Sequence, residues 1–215
     1  MAPVTVDRFV VNEGVSQVAQ AEILGRAQTL QRVLTLVAQQ GHQVEQAVDV
    51  MVQALATGKL VLACGNGGSA ADAQHMVGEL VGRFLREREP WPAIALTTDS
   101  SILTSIANDY GFDQVFQRQV AAFGQPGGVL VGFSTSGESR NVVNAAREAR
   151  RRDMHVVAFT GQTPSSFSDA ADIVLSVPVK STPLVQEVHA VLLHVVCDMV
   201  ESDLMERGQC KATVA

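Results

Sequence analysis

Apolar residues recur at helical spacing early in the chain, and then the period changes. From about Val15 to Gln40 they fall at Val18, Ile23, Leu24, Leu30, Val33, Leu34 and Val37. After a break at Gly41 they fall at Val44, Val48, Met51, Val52 and Leu55. A period near 3.6 predicts two amphipathic helices, about 15–40 and 43–57. Residues 1–13 carry no such pattern and are expected to be loosely structured. After Gly58, strand-length apolar runs alternate with helical segments. The runs are Leu60–Cys64, Ala93–Leu96, Val129–Phe133, His155–Thr160 and Ile173–Val177. Between them helices are predicted at about 69–86, 100–107, 112–123 and 139–152. A last one is predicted at 183–206, with Thr182 as its N-cap and Pro183 as its first helical residue. Near-continuous apolar strands separated by helices indicate an α/β fold with a parallel sheet covered on both faces. No internal repeat, low-complexity tract or linker interrupts the chain. One domain over 1–215 is expected, with a helical segment at about 15–57 ahead of an α/β core at about 59–206.

Composition narrows the classes. The 215 residues are 47% hydrophobic, enough for one substantial core, and carry a net charge of -6. An acidic chain is a poor nucleic-acid binder. The densest basic patch, Arg147, Arg150, Arg151 and Arg152, reads as the solvated C-terminal end of a helix. The three cysteines, Cys64, Cys197 and Cys210, are odd in number and form no C-x-x-C pair, so neither a disulfide framework nor a cysteine zinc cage is expected. The first residues lack a basic segment followed by an apolar run, and no stretch reads as long and apolar enough to span a bilayer. A cytoplasmic protein without nucleic-acid or membrane partners is expected.

Candidate chemistry clusters in a few places. The loop Gly65-Asn66-Gly67-Gly68-Ser69-Ala70 follows the first strand and opens a helix, where bare backbone N–H groups can meet an anion. It satisfies G-x-G-x-x-A, but the acid that follows the next strand is Asp99, roughly 30 residues on where a dinucleotide site wants roughly 20. The loop Ser134-Thr135-Ser136-Gly137-Glu138-Ser139 offers hydroxyls between a strand's carboxyl end and a helix's amino end. That combination suits one phosphate monoester, and without a lysine it is not a nucleoside-triphosphate loop. His75 and Glu79 stand at i and i+4 on one helix face. The last helix places His189 and His194 in an otherwise apolar stretch, beside Gln186 and Glu187. His75, Glu79 and His194 make a His₂Glu set that suits Zn²⁺ with one further ligand, and spacing alone leaves Gln186, Glu187 and His189 open for that place. Thr97-Thr98-Asp99 and Asn108-Asp109 read either as sugar-hydroxyl contacts or as ordinary turn and cap residues.

Taken together, the run from Gly65 to His75, Leu96–Asp99 through Asn108-Asp109-Tyr110-Gly111, Ser134–Gly137 with Ser139, and Gln186-Glu187 with His189 and His194 resemble the phosphoheptose isomerase family of the SIS (sugar isomerase) domain group. The resemblance runs from about residue 15 to 203. It implies a three-layer α/β sandwich of flavodoxin-like type, with a five-stranded parallel sheet flanked by helices and extra N-terminal helices. It further implies a homotetramer with sites near subunit interfaces, one Zn²⁺ per subunit, and conversion of sedoheptulose 7-phosphate to D-glycero-D-manno-heptose 7-phosphate for activated-heptose and surface-polysaccharide synthesis. The family's metal ligands fall on His75, Glu79, Gln186 and His194. Its substrate contacts fall on Asn66, Gly67, Gly68, Glu79, Asn108, Asp109, Ser134, Thr135, Ser136, Ser139 and Gln186. Its proton-transfer pair falls on Glu79 and His194. Ser181-Thr182 and Leu184 depart from the family's usual Asp-Thr and basic residue ahead of the glutamine. The alternative is a non-catalytic SIS adapter for a replication initiator protein, which predicts a degraded metal set.

Overall fold

The computed structural model describes residues 17–212, with side chains to residue 207. The loose segment expected at 1–13 and the helix start expected at Val15 lie outside the described residues. Helix α1 (Gln17–Val37) passes through a 3-10 turn (Ala38–Gln40) into α2 (Gly41–Ala56). The expected break at Gly41 falls instead at Gln40, whose ψ is 23°, while Gly41 is helical. Strands β1 (Val61–Gly65), β2 (Ala93–Ala95), β3 (Val129–Ser134), β4 (His155–Thr160) and β5 (Ile173–Ser176) then alternate with helices. They form one parallel sheet in the order β2-β1-β3-β4-β5. The helices are α3 (Gly68–Val81), α4 (Ser100–Tyr110), α5 (Val115–Phe123), α6 (Arg140–Arg151), α7 (Ser166–Ala170) and α8 (Thr182–Ala212).

Alternate strand residues face opposite sides, and both sides are packed. Val61, Ala63, Val131, Phe133, Val157, Phe159 and Leu175 meet α1, α2, α3 and α8. Leu62, Cys64, Leu130, Val156 and Ala158 meet α5, α6 and α7, with Leu103, Ile106 and Ala107 of α4 alongside. This arrangement explains the continuous apolar runs of the sequence. Edge strand β5 is protected in a specific way: the Gln40 amide donates to the Ser176 carbonyl at 2.6 Å and accepts from the Ser176 N–H at 2.9 Å.

Several predicted bounds shift. Helix α3 stops at Val81 rather than 86, because the chain turns at Gly82 and residues 84–88 bond elsewhere. The segment 112–123 divides into a 3-10 turn, Phe112–Gln114, and α5. Helix α7 is missed by periodicity; it is short, and Ser165 and Ser168 hold it in a capping box. Helix α8 starts at Thr182 itself, so the preceding Ser181 carbonyl takes the first helical bond, from the Val185 N–H at 2.9 Å. By length and composition Thr182–Arg207 is apolar enough to cross a membrane, against the expectation, but half of its most apolar stretch is buried inside the fold. It packs on α2 and α3 as a core helix.

Candidate active site

The strand order reverses between β1 and β3, because β2 lies on the far side of β1. Ligands of open α/β sheets sit outside such a switch point, at the carboxyl ends of the strands. Both candidate loops emerge there, since Gly65 of β1 is in register with Phe133 of β3. Gly67 has φ +55°, a left-handed conformation that disfavours a side chain. Gly68 opens α3, and a Cβ there would stand 2.4 Å from the Gln186 side-chain nitrogen. Thus the glycines admit both a tight turn and the close approach of α8.

The two loops are joined by a contact that the sequence did not announce. Asn66 donates to Asn141 at 2.9 Å, and Asn141 donates back at 2.8 Å. Asn141 is only 2% exposed, and its oxygen also accepts from the Val142 N–H. Across the sheet the serine loop folds on itself. Ser134 donates to the Ser139 hydroxyl at 3.1 Å and accepts from the Gly137 N–H, while Ser136 accepts from the Glu138 N–H. Ser139 stands at the N-cap of α6 without a side-chain capping bond. The carboxylate of Glu138 accepts from the Ser166 N–H at 2.9 Å and from its hydroxyl, which holds its pKa below the usual carboxylate range. Thr135 is half-buried and Ser136 exposed, so the loop keeps an open face.

The second half of the site lies between α3 and α8. His75 Nε2 is 3.0 Å from Glu79 Oε1 and 3.2 Å from His194 Nε2. The two imidazoles meet edge-on, with centroids 4.8 Å apart, and Phe84 stacks on His194 at 5.6 Å. All three ligand atoms lie within 4.8 Å of one another, the geometry of a group that can hold a metal ion. A tetrahedral zinc with bonds of about 2.0–2.1 Å separates its ligands by roughly 3.3 Å. The two short edges of the triangle match that separation, and two imidazole nitrogens facing each other across 3.2 Å leave at most one proton between them. The donor set fits zinc.

Other sequence-predicted residues are placed differently. Gln186 is half-buried against Gly68, eight residues before His194 and so roughly 12 Å away along the helix axis. Glu187 pairs with Arg26 of α1 at 2.6 Å. His189 is wholly buried against Phe133 and Phe159, with Nε2 at 3.2 Å from the Thr160 carbonyl, and burial lowers its pKa from 6.5 to about 4. Asn108 donates to Asp109 at 2.8 Å, and both are exposed on α4, which packs on the sheet face opposite α3 and α8. Asp99 is the N-cap of α4, accepting from the Ile102 N–H at 2.9 Å, and Thr97 accepts from Gln74.

Two more residues near the site escaped the sequence reading. Asp72 lies one turn before His75. Burial raises its pKa from 3.8 to about 6, opposed by the charge of His75, and one of its oxygens is buried without a partner. Glu201 is a wholly buried carboxylate that faces Arg88. Its only sequence signal is an acid on the apolar side of α8. Cys64 and Cys197 are buried free thiols, and burial pushes both up to about 12.

Similarity to known proteins coincides with this geometry. A family model described as the SIS domain matches residues 26–161. The phosphoheptose isomerase of Bordetella avium is 54% identical over 162 residues, spanning 74% of this chain and 82% of that protein. The solved structure of the phosphoheptose isomerase from Neisseria gonorrhoeae superposes with a TM-score of 0.80 at 42% identity, covering 86% of this chain and 99% of that one. The structure of a phosphoheptose isomerase from Francisella tularensis gives 0.81 at 36% identity, covering 86% and 98%. With its parallel sheet, its two switch-point loops and this degree of likeness, the chain belongs to the phosphoheptose isomerase family of SIS-domain proteins.

Proposed function

We propose that the chain is an aldose–ketose isomerase that converts sedoheptulose 7-phosphate to D-glycero-D-manno-heptose 7-phosphate, on the way to activated heptose. The observation that carries this reading is the meeting of His75, Glu79 and His194 on two packed helices, one of which also starts at the glycine loop. The serine loop at the head of α6 anchors the phosphate through Ser134, Thr135, Ser136 and Ser139, and Asn66, Gly67 and Gly68 line the sugar. Glu79 moves a proton between C1 and C2 through an enediolate, and His194 exchanges protons with the oxygens. Bound zinc supplies Lewis-acid polarisation of a sugar oxygen. His75, Glu79 and His194 would hold it, with Gln186 as the fourth ligand that the family resemblance implies.

The same reading treats the chain as one SIS domain over 1–215 that works in the cytoplasm as a homotetramer with one zinc per subunit. An apolar groove of about 370 Å³, lined by Leu34, Val37, Val44, Val191 and Val195, and the exposed Ile23, Leu24 and Leu36 of α1 support subunit packing. Packing of this kind also gives Asn108 and Asp109 a route to a neighbouring site. The complete His₂Glu set counts against the adapter alternative. The test is to incubate zinc-loaded protein with sedoheptulose 7-phosphate and follow the aldose. Glu79→Gln is expected to abolish turnover while sparing sugar-phosphate binding; near-normal turnover in that variant would sink the assignment.

A further inference from the structure

Residues 82–91 leave α3 as a loop, and that loop is tied to α8 by one buried carboxylate, Glu201, and by the half-exposed Asp198, which accepts from the Arg86 guanidinium at 3.0 Å. Glu201 Oε1 accepts from the Phe84 N–H at 3.1 Å and from Arg88 Nε at 3.0 Å. Its Oε2 accepts from the Leu85 and Arg86 N–H groups, both at 2.9 Å, with the Arg86 guanidinium at 3.4 Å. The Glu201 side chain is 0% exposed and that of Arg88 3%. Arg88 turns its other nitrogens back onto α3, donating to the Glu79 carbonyl at 2.7 Å and to the Leu80 carbonyl at 3.0 Å. Its guanidinium lies over the Trp91 ring at 3.5 Å. These bonds satisfy carbonyls that the end of a helix leaves without partners.

Both ends of this network touch the candidate active site. The first residue that Glu201 holds, Phe84, is the one that stacks on His194, with planes 24° apart. The carbonyl that Arg88 holds belongs to Glu79 itself. The ion pair is more than a fastening of a remote loop, because it sets the ring that covers one imidazole and the backbone that carries the carboxylate.

We propose that Glu201, acting through Arg88 and Phe84, is a positioning residue for the His75–Glu79–His194 group. It does not touch the reacting atoms. It fixes the face of His194 and the end of α3, and so the distance between the groups that bind metal and move protons. Residues that orient metal ligands from behind typically contribute 10–100-fold to metal affinity or turnover. The inference rests on the isomerase reading only for its kinetic arm.

The decisive variant is Glu201→Gln. It keeps the shape, but its NH₂ faces either the two donors that Oε1 accepted from or the three that Oε2 accepted from, depending on how the amide is turned. Three measurements are made on wild type and variant: the ring-proton shifts of His194 by NMR in metal-free protein, the zinc affinity by competition with a chromophoric chelator, and the steady-state kinetics with sedoheptulose 7-phosphate. Loss of Phe84 stacking is expected to move the His194 ring protons downfield, zinc affinity to fall 10–100-fold, and kcat to fall by a similar factor with KM within about twofold. A folded variant with lower thermal stability but unchanged His194 shifts, zinc affinity and kcat overturns the proposal, since a merely structural role predicts that result. Should Glu201→Gln not fold, Phe84→Leu decides the matter with Glu201 intact: unchanged zinc affinity and kcat in that variant also overturn it. If wild type fails to isomerise the sugar, the isomerase reading falls, while the NMR and zinc measurements still decide the positioning role.

Discussion

The buried imidazole of His189 makes the fold sensitive to acid in a calculable way. The ring lies at 0% exposure between Phe133 and Phe159, and burial lowers its pKa from 6.5 to about 4. Its Nδ1 has no partner, so protonation would place a second donor among apolar atoms. The folded protein thus holds this proton less tightly than the unfolded chain does. Stability is untouched above pH 6.5, falls as pH drops through the window from 6.5 to 4, and loses nothing more from this group below that. At ~1.4 kcal/mol for each tenfold change in proton affinity, the full loss is about 3 kcal/mol, most of it reached by pH 4.5.

Replacing His189 by Leu removes the titrating group at similar volume. The carbonyl left behind is not orphaned, because the Thr160 oxygen also accepts from the Val177 N–H at 2.9 Å. The variant is expected to lie within about 1 kcal/mol of wild type at pH 7, since the lost hydrogen bond is offset by removal of an unpartnered nitrogen. At pH 4.5 it is expected to exceed wild type by roughly 2–3 kcal/mol relative to that baseline. The assay is urea unfolding at a series of pH values and one fixed protein concentration, because self-association shifts apparent stability. Carboxylates titrate in both proteins and cancel in the difference. Parallel curves for wild type and variant between pH 7 and 4.5 would refute the reasoning.

Two further outcomes follow from the site's supporting residues. Asn141→Leu strips Asn66 of both amide bonds, worth about 1 kcal/mol each, so KM for the sugar phosphate should rise on the order of 10-fold with a smaller change in kcat; an unchanged KM in steady-state assays would show that the amide pair does not hold the glycine loop. Asp72→Asn concerns a carboxyl whose pKa burial raises from 3.8 to about 6, so ionising it costs the folded state stability as pH climbs through that window. Metal-free Asp72→Asn should therefore melt higher than wild type at pH 7, by on the order of 1 kcal/mol after allowing for the water around this half-buried group, and the difference should vanish below about pH 4 in thermal scans.

The parts of this molecule that were legible in the sequence are those encoded locally. Continuous runs such as Val129–Phe133 announce strands packed on both faces, and the loops after β1 and β3 declare themselves by glycine and hydroxyl content. His75 and Glu79 are visible as an i, i+4 pair, and His194 as an imidazole in an apolar helix. What stayed hidden depends on partners distant in the chain. Gly-Arg-Phe-Leu-Arg at 82–86 is compatible with a continuing helix, and its diversion depends on Glu201, 115 residues beyond Arg86. Asn141 looks like an ordinary polar residue in a first turn until Asn66 is set opposite it. Spacing could not choose among Gln186, Glu187 and His189, because one turn of α8 presents them to three environments: Gly68 of α3, Arg26 of α1, and the Thr160 carbonyl at the end of β4.

Helix α8 is where these separate contacts become one device. Gln186 meets Gly68, His194 meets His75, and Glu201 meets the loop just past the end of α3. The contacts advance in the same direction along both helices, so α3 and α8 run parallel. The steps along α8, from 186 to 194 and from 194 to 201, are each close to two turns of about 3.6 residues, which puts the three residues on one stripe. A single rotation or slide of α8 therefore acts on all three at once, and a slide of one residue is about 1.5 Å. Gly68 admits the Gln186 side chain where a Cβ would collide at 2.4 Å, and Glu201 locks the other end through five donors. The imidazole pair sits midway between these anchors, so its 3.2 Å separation is set from both sides. The glycine that reads as a phosphate-loop residue is equally a spacer between helices, and the glycine loop and the His₂Glu group are kept in register by the same packed stripe.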